Sequence, residues 1–227
     1  MRKIWIIAFS IIGLISSINI GMMYELSYQG PYVMNSSRYN EQKKDAPPII
    51  TEYNASAAWI PDGIVAENEY SRSMVLEGNK RGRLTGRNLE VYWKNDAQNF
   101  YMALKGLTKG WVSIGFEPSI AMNDSDIIMV ALNGSNITLL DEYCIGNYGS
   151  HLPDSELGGT ESILAAGGKE DGNYTILEFK RKMNTGDKFD KAFTPGQKVS
   201  IIWAMADSDS LKDIHNGAQG NGELTWE

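Results

Sequence analysis

The chain has 227 residues and carries 21 Lys+Arg against 28 Asp+Glu, a net charge of -7. That length suits one well-buried domain with appendages, and the acidic balance offers no clustered positive charge for phosphate backbones, which argues against a nucleic-acid partner. Cys144 is the single cysteine, so an intramolecular disulfide and a multi-cysteine zinc site are excluded; it reads as a small buried hydrophobe.

In chain order, Arg2 and Lys3 precede an apolar stretch from Ile4 to Met23, and about 20 such residues cross a bilayer as a helix. Residues 1–23 are therefore expected to be a signal peptide or signal anchor. Positive charge ahead of the stretch keeps that end inside and sends the rest out, giving an extracytoplasmic domain that is membrane-anchored or secreted. No small-residue cleavage site stands out around Ser16 to Gly21, which favours the uncleaved anchor. Residues 24–55, with Asn35-Ser36-Ser37, Lys43-Lys44 and Pro47-Pro48, show no regular period and read as a polar stalk.

Residues 56–227 form the expected folded domain. Leu89, Val91 and Trp93 alternate with Glu90, Tyr92 and Lys94, and Phe100, Met102 and Leu104 share one face, so both segments are strands. Further strands are expected at 111–117, 126–132, 137–143, 174–180, 199–206 and 223–227. Lys109-Gly110, Asn133-Gly134, Asp171-Gly172 and Pro195-Gly196 punctuate them, the first three where tight hairpins belong. The stretch 146–168, with its glycines and Pro153, reads as a long irregular connection. This pattern predicts an all-β, antiparallel immunoglobulin-like β-sandwich preceded by one N-terminal hydrophobic helix.

Six Asn-x-Ser/Thr sequons, at Asn35, Asn54, Asn123, Asn133, Asn136 and Asn173, suit an exported glycoprotein. With only His151 and His215 available, there is no zinc-protease motif, nucleophile elbow, Walker loop or dinucleotide fingerprint, so no enzymatic activity is expected. Asn123, Asp124 and Asp126 place oxygens as at the start of a calcium loop, but the rest of such a loop is missing and a turn into a strand is the plainer reading. His151, in the Gly/Pro stretch, is expected to be exposed.

The residues Gly110-Trp111-Val112-Ser113-Ile114-Gly115-Phe116-Glu117-Pro118, followed by Ala121-Met122-Asn123-Asp124-Ser125-Asp126, resemble the signature of DOMON domains. Asp141-Glu142-Tyr143, Phe179-Lys180-Arg181, Thr185-Gly186-Asp187, Ile202-Trp203-Ala204 and His215-Asn216-Gly217-Ala218-Gln219-Gly220 follow in the order that family shows. The resemblance implies a sandwich of ten or eleven strands that holds haem b between one methionine and one histidine, or else binds a sugar or another small ligand without haem. By position, the two axial ligands would be Met122 and His215. A thioether and an imidazole filling both axial sites make an electron carrier, with a redox partner protein to match. Trp111, Phe116, Tyr143 and Trp203 are the aromatic candidates for a pocket wall, although sandwich core is an equally good home for each.

Overall fold

The computed structural model describes residues 59–79, 86–134, 136–147 and 151–227. The expected N-terminal segment and the whole of the stalk, residues 24–55, lie outside them. No helix among the described residues is long and apolar enough to cross a membrane.

Eleven strands form two antiparallel sheets: β1 Arg72–Leu76, β2 Leu89–Asn95, β3 Asn99–Gly106, β4 Val112–Phe116, β5 Asp126–Asn133, β6 Asn136–Cys144, β7 His151–Pro153, β8 Ile163–Asp171, β9 Tyr174–Lys182, β10 Lys198–Met205 and β11 Ala218–Thr225. One sheet runs β1-β2-β3-β9-β8, the other β11-β10-β4-β5-β6-β7. The all-β antiparallel expectation holds for these residues.

Three details differ from the expectation. Lys109-Gly110 is not a hairpin turn, because β3 and β4 belong to different sheets and the connection crosses between them. Its glycine is required by close approach: a Cβ on Gly110 would stand 2.4 Å from the Ser208 backbone nitrogen and 2.5 Å from the Ala206 carbonyl oxygen. The stretch 146–168 is also less irregular than expected, holding β7, a short 3-10 turn at Asp154–Leu157 and the first part of β8. Finally, β11 begins five residues before the expected start at Glu223, since backbone pairing to β10 carries it through Ala218 to Gly222 without the apolar alternation that marks a strand in sequence.

The period-2 pattern buries what it should. Leu89, Val91, Trp93, Phe100, Met102 and Leu104 meet Ile114, Phe116, Ile128, Val130, Ile201 and Trp203 between the sheets. Phe100 is the hub, with rings of Phe116, Phe179, Phe193 and Trp226 at centroid distances of 6.0, 5.9, 5.9 and 4.8 Å. Aromatic pairs at such spacings add to the burial energy of each ring.

At one end of this core sits Arg181 of β9, fully buried. Its guanidinium crosses to the other sheet and donates to both carboxylate oxygens of Asp126, at 2.8 and 2.6 Å, and to Asp190 at 2.9 Å. The Asp141 carboxylate lies 3.7 Å away. The rings of Phe100, Phe116 and Phe193 stand 5.3–6.0 Å from the guanidinium carbon, within cation–π range. Asp154, 1% exposed, adds a fourth carboxyl, and its Oδ1 makes no hydrogen bond.

One guanidinium does not neutralise four carboxylates. Burial, reinforced by the neighbouring acids, raises the Asp141 pKa to about 7 and the Asp154 pKa to about 8, so both carry protons into the neutral range. A carboxyl whose pKa is raised by folding contributes stability that is fully present below its unfolded value, near 4, and is lost as pH rises through the folded value. Urea unfolding followed from about pH 5 to about pH 9 is accordingly expected to show stability falling up to about pH 8 and level beyond it. Asp154→Asn should flatten that fall and leave the domain more stable at the alkaline end; an unchanged slope in the variant would contradict this assignment of the proton.

Candidate functional site

A sheet in a two-layer sandwich has one face on the core and one toward water. The outer face of the six-stranded sheet breaks that rule. Ile127, Met129 and Ala131 of β5 and Cys144 of β6 point away from the inter-sheet core and join Trp111 and Ala206 in a second apolar cluster, none of them more than 5% exposed. Met122, Leu140, Ala204 and Leu211 pack against it.

Two connections arrive at this cluster from opposite ends. Pairing of Phe116 with Asp126 places the β4–β5 connection, residues 117–125, at one end of the sheet. Pairing of Val112 with Met205 places the β10–β11 connection, residues 206–217, at the other. The first carries Met122 and the second carries Leu211 and His215.

The turn around Met122 is held in a strained shape. Glu117, Ala121 and Asp124 have φ of 50°, 55° and 65°, a left-handed conformation that costs a non-glycine residue roughly 1–2 kcal/mol. Local bonds maintain it: the Ser125 hydroxyl, at 2.5 Å, and the Ser125 amide both donate to the Met122 carbonyl. The Asp124 amide donates to the Cys144 carbonyl, and the Cys144 amide to the Ser125 carbonyl. Neither acidic residue is open for calcium. Asp126 is taken by Arg181, and Asp124 accepts from the Tyr143 hydroxyl and pairs with Lys191 at 3.0 Å.

His215 is half-buried, and its Nδ1 is enclosed without a hydrogen-bond partner. Desolvation by burial lowers its pKa below the ordinary histidine value, against a local backbone hydrogen bond that raises it, and so favours the neutral imidazole.

His151 departs from expectation. It is half-buried on β7, directly opposite Cys144, and its Nδ1 lies 2.5 Å from Glu142 Oε2, a carboxylate that itself is buried on β6. The imidazole shelters because that buried acid needs a partner. Sequence reasoning missed the pair, although an acid two residues from both Leu140 and Cys144 on an apolar strand face was a signal for it.

The aromatic candidates divide. Phe116 and Trp203 belong to the inter-sheet core, Trp111 to the outer cluster, and Tyr143 packs on Phe189 at 5.3 Å. Cys144 is buried, as expected, and its thiol donates to the Gly146 carbonyl. Among the described residues, three carboxylates, Asp126, Asp141 and Asp190, stand close enough together to hold a metal, but Arg181 already fills their centre. Shallow open recesses lie elsewhere among the described residues, one beside Arg87, Thr108 and Asp207, another beside Tyr70 and Tyr92.

A family profile described as DOMON domain matches residues 85–206. Among curated proteins, MOXD1 homolog 1 of Drosophila melanogaster is 25% identical over 143 residues, covering 60% of this chain and 18% of that protein. DBH-like monooxygenase protein 1 of Homo sapiens is 26% identical over 118 residues, covering 52% and 18%. The chain thus spans about a fifth of the length of these relatives. Among solved structures, the cytochrome domain of Myriococcum thermophilum cellobiose dehydrogenase aligns with a TM-score of 0.48 at 15% identity, over 68% of this chain and 82% of that one. That likeness is too loose to speak for a ligand.

The strained turn can be probed directly. Ala121→Gly removes the left-handed penalty and should leave the domain as stable as the parent or more so in urea unfolding, whereas Ala121→Val puts a branched side chain at that position and should destabilise it. Equal losses in both would show that the φ angle is not what the turn depends on.

Proposed function

The chain belongs to the DOMON family, and from that membership we propose that its outer apolar face holds haem b, with Met122 and His215 as the axial ligands, as an extracytoplasmic electron-transfer domain. The observation that carries the reading is the convergence on one apolar face of two connections from opposite ends of the sheet, one bearing a thioether in a strained turn, the other an imidazole with a buried, unpartnered nitrogen.

The donor set fits the group. Burial lowers the His215 pKa and so favours the neutral form, in which an imidazole ligates a metal. Ala121 and Asp124, left-handed on either side of Met122, fix the course of the backbone that presents the thioether. Leu211, Leu140 and Met122 pack on the face, while Lys212, Asp213 and Ile214 of the 206–217 connection are exposed. Haem held by Met122 and His215 would supply one-electron exchange, which suits a carrier. Residues 4–23 would hold the domain at a membrane or export it, where a redox partner protein exchanges electrons with it.

Ultraviolet–visible spectra of protein produced with haem available, before and after dithionite, test the proposal. A sharp Soret band with narrow α and β bands on reduction is expected, weakened or shifted in Met122→Leu and lost in His215→Ala. A featureless spectrum would count against haem and turn attention to a haem-free domain that binds a sugar or other small ligand. A haem spectrum untouched by both substitutions would remove these two ligands.

A further inference from the structure

Four of the six sequons fall on described residues, and three of them stand together. Asn133 and Asn136 face each other across the two-residue β5–β6 turn. Asn173 lies in the β8–β9 turn, between the paired Asp171 and Tyr174. Strand register puts both turns at the same end of the sandwich. Thr175, at the start of β9, pairs with Gly106 at the end of β3, and Val130, near the end of β5, pairs with Val112 at the start of β4; residues 107–111 join those two points.

All three asparagines are exposed. A Cβ built at the neighbouring Gly134 or Gly172 would meet nothing within 4 Å, and Asn173 borders an open recess beside Arg87 and Asp207. Asn123 is different. It is half-buried, its Nδ2 donates to Ser119 Oγ at 3.2 Å, and Ser125 of its sequon is fully buried with its hydroxyl committed to the Met122 carbonyl.

We propose that the turn end of the domain carries N-linked glycans, one on Asn173 and one on either Asn133 or Asn136, while Asn123 carries none. In the transfer, the asparagine side-chain nitrogen attacks the anomeric carbon of a lipid-diphosphate-linked oligosaccharide. A carbon–nitrogen bond forms, the anomeric carbon–oxygen bond breaks, the lipid diphosphate leaves, and the nitrogen gives up one proton. Residues directly opposite on antiparallel strands have Cβ atoms about 4.5–5.5 Å apart, too close for two glycans, so Asn133 and Asn136 share one. The proposal relies on export by residues 4–23 and is independent of haem. Its consequence is directional: the glycans hydrate one end and leave the Met122 turn, at the opposite end, free.

The full chain, produced in insect cells and purified from membranes or medium, would be weighed by intact mass spectrometry with and without peptide-N-glycosidase, beside Asn173→Gln, the Asn133→Gln/Asn136→Gln double variant and Asn123→Gln. The first two should each weigh one glycan less than the parent, and the third should lose none. Any glycan on Asn35 or Asn54 is common to all four proteins and cancels in the differences. Unchanged glycan mass in the first two variants, or a loss in the third, would overturn the proposal.

Discussion

A single guanidinium closed between two sheets decides how one end of this sandwich is built. A buried charge left without partners is strongly destabilising, so the side chains around Arg181 are arranged to meet it: both oxygens of Asp126 from the facing sheet, Asp190 from the β9–β10 connection, and three phenylalanine rings from the core. The bidentate Asp126 contact fixes direction as well as energy. Asp126 is the first residue of β5, so the strand cannot shift register without abandoning Arg181, and the turn before it inherits that constraint. Met122 stands four residues upstream, fastened on its other side through Ser125 and Cys144.

The same sheet thus has two different faces to satisfy. Its inner face closes the core around Phe100, while its outer face carries a second apolar cluster that the β4–β5 and β10–β11 connections cover. A covered outer face with a strained turn on it differs from the water-facing side of an ordinary antiparallel sheet. Strain of this kind persists only where the surroundings over-determine it. Here the anchors are the Arg181 cluster below and the hydrogen bonds of Ser125, Asp124 and Cys144 around the turn.

Much of the fold was legible because burial follows a period of two. β2 and β3 announce themselves through Leu89, Val91, Trp93, Phe100, Met102 and Leu104. β8 does not, since Ala165, Ala166, Gly167 and Gly168 supply little side chain and the strand is held by backbone pairing to β9. Lys109-Gly110 misleads because turn chemistry says that the chain reverses and not which sheet it enters next. Of the proposed site, Met122 and His215 are named through a resemblance alone, one methionine among ten and one histidine of two being weak signals by themselves. The Glu142–His151 pair and the left-handed Ala121 were not found, as backbone angles and edge-strand pairings are products of tertiary structure. The expected apolar helix lies outside the described residues.

Whether the Met122 sulfur meets iron on the outer face is tested most directly by proton nuclear magnetic resonance of the reduced, haem-loaded protein. The ring current of the macrocycle should move the ε-methyl resonance of a single methionine far upfield of the other nine, and Met122→Leu should abolish that signal. Ten methionine methyls in the ordinary range, or an upfield signal that survives the substitution, would contradict the assignment.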